Sequence, residues 1–281
     1  MEAMDPRMSA AYEACRRMQR RHDPTYYGAT RRLPADLQPA THALYGYVRT
    51  ADQIVDGPRR PPTPSARRAA LDAWEAELRA ARHPVASALL DAAERHALPL
   101  GELRAYMRSM RIDCARVRIG SWDELEAYMD GSAGSVGRIM APLLGVSARH
   151  HADFGRLGQA FQLANFIRDV REDRWLDRIY LPADDRARFG VSEEDLARPR
   201  ATPELRALVA HEVRRARRLF AGAAPAVAAT PAPVRPGIRF AIGVYARVLD
   251  RVEAVGFDVL GRRTGVRAWQ LPAPALRAMR R

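Results

Sequence analysis

Apolar residues recur at three- and four-residue intervals along most of this chain, the spacing that places them on one face of an α-helix. No run of alternating apolar and polar residues is long enough to predict a useful strand. Stretches rich in proline and glycine, such as GPRRPPTP at 57–64, separate the helical segments. The predicted helices span residues 8–21, 36–56, 65–82, 84–96, 99–117, 121–130, 132–144, 148–174, 203–222 and 237–263.

The connections between these helices are mostly short. The exceptions are 181–203, which contains several prolines and room for one short helix, and the run 223–236, which is rich in Ala and Pro. No linker divides the chain into two cores, and no internal repeat supports an α-solenoid. We therefore predict an all-α protein in which residues 1–281 form one domain, with helices around a central apolar cavity.

The helix predicted over 36–56 ends in two carboxylates four residues apart, Asp52 and Asp56. Four residues turn a helix through about 400° and advance it by about 6 Å, so both side chains lie on one face. Leu44, Ile54 and Val55 leave little polar surface around them, which argues against the simpler interpretation of a solvated face.

A second cluster lies in the helix predicted over 148–174, where Asn165, Asp169 and Asp173 follow one another at the same four-residue period. Like charges at this spacing repel and cost stability unless a cation offsets them. Mg²⁺ is the natural cation, because it prefers oxygen ligands and is usually shared with substrate phosphates. Two such clusters facing each other predict a dinuclear or trinuclear Mg²⁺ site for a diphosphate.

The formal net charge of +13 would suggest a nucleic-acid partner. All 46 basic residues are Arg, however, and they are scattered with few aromatic residues between them. Ala and Pro are abundant too, a pattern typical of genome-wide codon bias. We therefore expect no nucleic-acid binding.

Cysteine use and hydropathy favour a cytoplasmic protein. Cys15 and Cys114 are too few for a disulfide framework or a Cys-His metal site. The N-terminus lacks the apolar run of a signal peptide, and no apolar run approaches the roughly 18 residues that span a membrane. The C-terminal LRAMRR is either a frayed tail or a peripheral contact with an anionic membrane surface.

Several other side chains allow two interpretations. Arg49 precedes the first acidic pair by three residues and either binds phosphate or forms an ion pair. Arg168, Arg174 and Arg178 either neutralise a leaving diphosphate or lie on the surface. The glycine-rich segment 131–137 either lies beside a bulky apolar substrate or packs tightly against another helix. The sequence contains no recognisable nucleophile triad and no glycine-rich phosphate loop.

The stretches ALYGYVRTADQIVD and AFQLANFIRDVREDRWLDRIYLP resemble the two aspartate-rich signatures of the squalene/phytoene synthase family. YMDGSAGSVG resembles the stretch between them, and the likeness runs from about His22 to Arg263. ATRRLP, SMRID and the FGV after YLP are most similar to the bacterial phytoene synthase branch. The resemblance implies the isoprenoid synthase fold and a prenyltransferase that joins two prenyl diphosphates head to head.

The resemblance also implies roles for individual residues. The implied Mg²⁺ ligands are Asp52, Asp56, Asn165, Asp169 and Asp173. The implied catalytic residues are Tyr45 and Arg49, at a diphosphate, and Tyr128 and Tyr245, in the cavity where cations form. The further implied phosphate contacts are His22, Thr25, Arg118, Arg178 and Arg262.

Five positions depart from the family pattern. Asp23 stands where a phosphate-contacting Ser is frequent, and Gln53 stands where Asp or Glu is usual. Ile119, Ala164 and Asp177 replace a frequent Tyr, Thr or Ser, and Gly, respectively. These departures bear on the substrate and the product, because every metal-binding Asp is retained.

The implied reaction is Mg²⁺-dependent condensation of two geranylgeranyl diphosphates to phytoene through a cyclopropyl diphosphate, in carotenoid biosynthesis, with Mn²⁺ as an alternative metal. We do not expect NADPH, which squalene formation needs, because no nucleotide motif is present. Other hypotheses are a squalene or dehydrosqualene synthase acting on farnesyl diphosphate, a terpene cyclase acting on one prenyl diphosphate, and a non-catalytic prenyl-lipid binder. The sequence indicates no particular oligomeric state.

Overall fold

Helices make up nearly all the regular structure of the computed structural model, which describes residues 5–261. The α-helices are α1 (Pro6–His22), α2 (Pro24–Thr30), α3 (Gln38–Asp56), α4 (Pro64–Ala80), α5 (Pro84–His96), α6 (Leu103–Ile112), α7 (Trp122–Met129), α8 (Ser135–Leu143), α9 (His151–Arg168), α10 (Val170–Trp175), α11 (Ala183–Arg188), α12 (Pro203–Ala228) and α13 (Arg235–Ala254). Short 3₁₀ turns lie at Leu100–Glu102, Ala148–His150 and Asp195–Ala197, and a π-helical turn at Asp130–Gly134 joins α7 to α8. The strands β1 (Val117–Arg118) and β2 (Arg178–Ile179) form a short parallel pair. The predicted all-α class is confirmed.

Many of these helices begin where the sequence supplies a cap. The side chains of Asp5, Asp23, Thr63, Ser121 and Thr202 accept a backbone N–H bond in the first turn of α1, α2, α4, α7 and α12. All of these helices except α7 also carry proline near the first helical position. Proline needs no hydrogen-bond partner there and already has a helical φ, so it fixes where the helix starts.

The helix predicted over 148–174 is interrupted at Asp169, where the backbone has φ −103° and ψ 15°. Hydrogen bonds nevertheless run from Asp169 N–H to the Asn165 carbonyl and from Asp173 N–H to the Asp169 carbonyl, each at 2.8 Å. The chain therefore bends between α9 and α10 but keeps the four-residue register of the acidic cluster.

Other predicted boundaries differ for local reasons. α12 continues through Pro225 to Ala228, where a loop was predicted from 223, because the Ala-rich run favours helix. α2 is absent from the prediction, since seven residues are too few for a periodic pattern. The helix predicted over 99–117 ends at Ile112, and the chain then enters β1.

The glycine-rich segment 131–137 packs against backbone of other helices. A Cβ atom on Gly131 would lie 2.2 Å from Ser109 Oγ, and one on Gly137 would lie 2.3 Å from the Phe154 carbonyl oxygen. A Cβ on Gly158 of α9 would lie 2.4 Å from the Ala133 carbonyl oxygen, so the close approach is made from both sides. These distances fit the tight-packing interpretation of this segment, and Ser132, Ala133, Val136 and Gly137 also line an apolar cavity, as the other interpretation expects.

α9 passes between the two apolar clusters of the core. Its Phe154 and Leu157 belong to the cluster built around α1, α3, α5 and α6, and its Leu163 and Ile167 belong to the cluster around α7 and α12. α9 also packs against α8, α12 and α13. This arrangement brings the C-terminal end of α9, with Asn165, into the middle of the molecule. Within residues 5–261, no helix combines the length and apolar composition needed to cross a bilayer.

Candidate active site

The end of α3 and the junction of α9 with α10 bring the two predicted acidic clusters together. Burial, and then the charges of Asp169, Asp113 and Asp56, raise the pKa of Asp173 well above its usual value. Asp56 lies on α3 and Asp173 on α10, so the two acidic faces confront each other. We refer to the residues of the two clusters as the acidic site: Asp52, Asp56, Asn165, Asp169 and Asp173.

Arg178 connects the two sides of the acidic site. Its side chain is 4% exposed, and its guanidinium donates to both carboxylate oxygens of Asp56, at 3.0 Å for Nη1 to Oδ2. Nη2 also donates to the Asp113 carbonyl oxygen at 2.7 Å, and the charge of Arg178 lowers the pKa of Asp173. The residue predicted to contact phosphate therefore binds a carboxylate of the acidic site in this structure. The β1–β2 pair holds it there, because Arg178 is the first residue of β2.

Asp52 contacts two protein donors and keeps a side chain that is 35% exposed. The Tyr106 hydroxyl donates to its Oδ1 at 2.8 Å, and Arg49 Nη1 lies 3.9 Å from its Oδ2. Burial is the main cause that raises the pKa of Asp52 to about 6, and the neighbouring Asp56 adds to it. Arg49 thus forms the ion pair that was one of its two interpretations, and it remains within reach of a ligand bound at Asp52.

Asp113 is a functional candidate that the sequence reasoning missed. It is 4% exposed and lies at the end of α6, where it accepts hydrogen bonds from Tyr128 Oη at 2.5 Å and Tyr180 Oη at 2.8 Å. Burial raises the pKa of Asp113 to about 6. Tyr128, predicted to line the cavity, points its hydroxyl at this carboxylate. The available signal was the SMRID stretch, but an Asp that ends an amphipathic helix has the pattern of a surface residue.

Two adjoining cavities begin at Asn165. The first has a volume of about 240 Å³ and an apolar lining that includes Val136, Met140, Phe154, Leu157 and Phe161. The second, of about 260 Å³, is more polar and includes Asp23, Thr25 and Arg168. Asn165, Tyr26 and Tyr245 line both, so the polar end and the apolar end are continuous. Such a space suits a ligand with a charged head and a long hydrocarbon tail.

Comparison with known proteins identifies the family. The family model for squalene/phytoene synthase matches residues 19–270. The chain is 35% identical to a phytoene synthase of Thermus thermophilus, over 95% of this chain and 92% of the relative. It is 32% identical to a phytoene synthase of Arthrospira platensis, over 96% of this chain and 94% of the relative. This chain belongs to the squalene/phytoene synthase family.

Solved structures share the fold of this chain. A dehydrosqualene synthase in complex with a ligand superposes with a TM-score of 0.86 at 23% identity, covering 97% of this chain and 95% of that chain. The squalene synthase HpnC from Alicyclobacillus acidocaldarius superposes with a TM-score of 0.79 at 28% identity, covering 89% and 95%. The predicted isoprenoid synthase fold is confirmed.

Of the remaining predicted residues, Thr25 and Tyr245 line the polar cavity, and Tyr45 stacks on its lining residue Tyr26. The rings of Tyr45 and Tyr26 stack with centroids 6.1 Å apart, and those of Tyr245 and Phe161 lie 4.6 Å apart. His22 is largely exposed; burial of part of its ring, and then the charge of Arg49, lower its pKa. The phosphate roles of His22 and Thr25 stay predictions.

Asp23, a departure from the family pattern, has a structural role. Its carboxylate accepts the Tyr26 N–H at 2.8 Å and so caps α2. The same carboxylate lines the polar cavity, and burial raises its pKa. Asp23 is therefore both the start of a helix and a negative charge beside the expected diphosphate position.

The guanidinium of Arg118, which is predicted to contact phosphate, instead donates hydrogen bonds to protein groups from all three of its nitrogen atoms. Its Nε donates to Glu193 at 2.9 Å and its Nη2 to Asp177 Oδ1 at 2.6 Å, while Nη1 donates to two backbone carbonyls. Asp177 has a φ of 58°, in the left-handed region that favours glycine, which accounts for a frequent Gly at this position. Arg262 lies outside the described residues.

The carboxylate and amide oxygens of the acidic site are suitable ligands for a hard divalent cation. Asn165 Oδ1 is buried and has no hydrogen-bond partner, which is unusual for a polar atom. Burial, and then negative charge that Arg178 does not fully offset, raise the pKa of Asp173. Oxygen-only ligands around uncompensated charge are the environment in which Mg²⁺ binds.

Proposed function

We propose that this chain is a Mg²⁺-dependent phytoene synthase that joins two geranylgeranyl diphosphates head to head. The observation that carries the proposal is that the acidic site and the apolar cavity share Asn165, so a diphosphate head and a hydrocarbon tail have adjoining places. Similarity to relatives named phytoene synthase, at 32% and 35% identity over most of both chains, supports the same reaction.

Asp52, Asp56, Asn165, Asp169 and Asp173 would hold the metal, with Mn²⁺ as an alternative. Bound Mg²⁺ would neutralise the charge that develops on the departing diphosphate. Arg49, which lies beside Asp52, and Arg168, which contacts Asp169, would bind diphosphate through their planar donor groups.

The chemistry requires two ionisations. Loss of diphosphate from the first substrate leaves an allylic cation, the alkene of the second substrate adds to it, and loss of a proton closes the cyclopropane. Loss of the second diphosphate gives a cation that rearranges and loses a proton to give phytoene. The apolar cavity excludes water that would trap these cations, and the rings of Tyr26, Tyr245 and Phe161 offer aromatic faces that stabilise positive charge.

A squalene or dehydrosqualene synthase that uses farnesyl diphosphate is the second candidate. Its support is the superposition on HpnC, at 28% identity and a TM-score of 0.79. A squalene synthase differs chemically at the last step, which adds hydride rather than losing a proton.

The test is product analysis with single substrates. The purified protein is incubated with Mg²⁺ and either geranylgeranyl, farnesyl or geranyl diphosphate, both without a reductant and with NADPH as hydride donor, and the extract is analysed by mass spectrometry. We expect a C40 hydrocarbon from geranylgeranyl diphosphate and none from the Asp173→Asn variant. A C30 product alone would replace the proposal with the second candidate, and a cyclic terpene from one substrate would identify a cyclase.

A further inference from the structure

A second group of ionisable side chains lies outside the acidic site, between α11 and α12. Asp185 of α11 faces His211 and Glu212 of α12, and one ligand atom from each lies within 4.8 Å of the other two. Asp185 is 7% exposed and Glu212 is 0% exposed. Neither the family resemblance nor the proposed reaction uses these residues.

Arg215 donates hydrogen bonds to only some of the polar atoms of this group. Its Nη1 donates to Asp185 Oδ2 at 2.7 Å and to Glu212 Oε1 at 2.8 Å. The guanidinium also stacks 4.0 Å from the ring centroid of Trp122, which holds it on that side. Glu212 Oε2 and His211 Nε2 are buried and have no hydrogen-bond partner. Two buried polar atoms of this group, one of them a carboxylate oxygen, therefore lack a partner that a further cation would supply.

The types of ligand atom in this group favour some cations over others. An imidazole nitrogen with two carboxylate oxygens is a ligand set of Zn²⁺, whereas Mg²⁺ prefers oxygen alone. A metal requires the neutral imidazole, whose ring nitrogen then offers a lone pair. Ligands of one tetrahedral ion lie about 3.4 Å apart for bonds near 2.1 Å, so the side chains must close by roughly 1 Å.

We propose that Asp185, His211 and Glu212 bind one Zn²⁺, with water at the fourth position and Arg215 retained against the outer carboxylate oxygens. The ion has a structural role, because it ties α11 to α12. α11 begins four residues after Ile179, the last residue of β2, so the ion steadies the segment that carries Arg178 and Tyr180. Zinc at this site takes no part in the prenyl chemistry.

The experiment is a Zn²⁺ titration of the whole protein after chelation and dialysis. A chromophoric zinc indicator reports free metal, and excess Mg²⁺ keeps the acidic site occupied. We expect one tightly bound Zn²⁺ per chain. His211→Gln and Glu212→Gln should each weaken it at least about tenfold, the smallest loss seen even for residues that only support a ligand.

The matched control is His150→Gln. His150 is also a partly buried His with an Asp partner, at 3.0 Å from Asp153, but it belongs to no such group. This variant should bind Zn²⁺ as the unaltered protein does. Co²⁺ in place of Zn²⁺ should give the visible absorption of a tetrahedral ion, which the His211 and Glu212 variants lose.

Equal Zn²⁺ binding by all variants, or no binding in the presence of Mg²⁺, would overturn the proposal. If His211→Gln does not fold, Glu212→Gln decides, because it keeps the side-chain size and removes the charge. If neither folds, the Co²⁺ spectrum of the unaltered protein decides, and the absence of a tetrahedral spectrum rejects the site.

Discussion

At the scale of single residues, Asp56 and Asp173 carry the same charge but have opposite surroundings. Asp56 is neutralised by the buried Arg178, whereas Asp173 faces the charges of Asp169, Asp113 and Asp56. We expect Asp173→Asn to leave the metal-free unfolding free energy unchanged or raise it by about 1 kcal/mol, because it removes a carboxylate that burial and then the neighbouring charges disfavour. Asp56→Asn should lower it by about 1–3 kcal/mol, because a buried guanidinium loses its carboxylate.

Urea unfolding in the absence of metal measures both effects. Both variants should lose turnover with Mg²⁺, while circular dichroism confirms their fold. If Asp173→Asn proved less stable than Asp56→Asn, the charge distribution described for the acidic site would be wrong.

Asp113 gives a prediction about pH. Its pKa is raised to about 6, whereas an Asp in the unfolded chain titrates near 3.9. As the pH rises from about 4 to 6, the unfolded chain releases this proton first, so stability falls, by about 3 kcal/mol in total from this group. Asp113→Asn should therefore flatten the pH dependence of unfolding in this window.

The measurement is urea unfolding at several pH values between 4.5 and 7.5, without metal. Asp52, whose pKa is also about 6, stays in the variant and should keep part of the slope. A variant with the same slope as the unaltered protein would exclude Asp113 as its source.

At the scale of elements, the Asp23 carboxylate both caps α2 and lines the polar cavity. Serine caps a helix about as well as aspartate, so Asp23→Ser should keep stability, while Asp23→Ala should cost about 1 kcal/mol. Removing the negative charge should strengthen diphosphate binding. We expect Asp23→Ser combined with Gln53→Asp to lower KM or raise kcat for the same product. Unchanged KM, kcat and product in steady-state assays would make both positions irrelevant to the diphosphate.

The glycines of helix–helix contacts offer a second test at this scale. Gly137→Ala brings a Cβ to within 2.3 Å of the Phe154 carbonyl oxygen, so α8 and α9 must separate, at a cost of roughly 1–3 kcal/mol. Gly222→Ala in α12 is the control, because no atom lies within 4 Å of its Cβ position, and it should stabilise by about 1 kcal/mol. Thermal unfolding compares the two, and equal effects would contradict the close packing.

The spacing of residues along the chain predicts the two acidic helices, but it does not predict which distant residues contact them. The spacing of Asp52 with Asp56, and of Asn165 with Asp173, follows from helix geometry alone. The bond from Arg178 to Asp56 joins residues 122 positions apart, and the one from Tyr180 to Asp113 joins residues 67 apart. No periodicity encodes such contacts. The bend at Asp169 cannot be predicted from the sequence either, because the helical register continues across it.

At the scale of the whole molecule, the acidic site joins the two apolar clusters of the core. α3 belongs to one apolar cluster of the core and α10 to the other, while α9 contributes to both. A metal–diphosphate cluster held by Asp56 and Asp173 would therefore connect the two clusters. Binding there should stabilise the entire fold rather than one helix.

We expect Mg²⁺ and inorganic diphosphate together to raise the Tm by roughly 5–10 °C. A ligand at 100 times its Kd adds about 2.7 kcal/mol, and each kcal/mol shifts the Tm of a domain near this size by about 2–4 °C. Diphosphate without Mg²⁺ should have little effect, because Asp23 and the acidic site repel it. Asp173→Asn should lose most of the shift, while His150→Gln should keep it. A full shift in Asp173→Asn, measured by scanning calorimetry, would place the metal–diphosphate cluster elsewhere in the molecule.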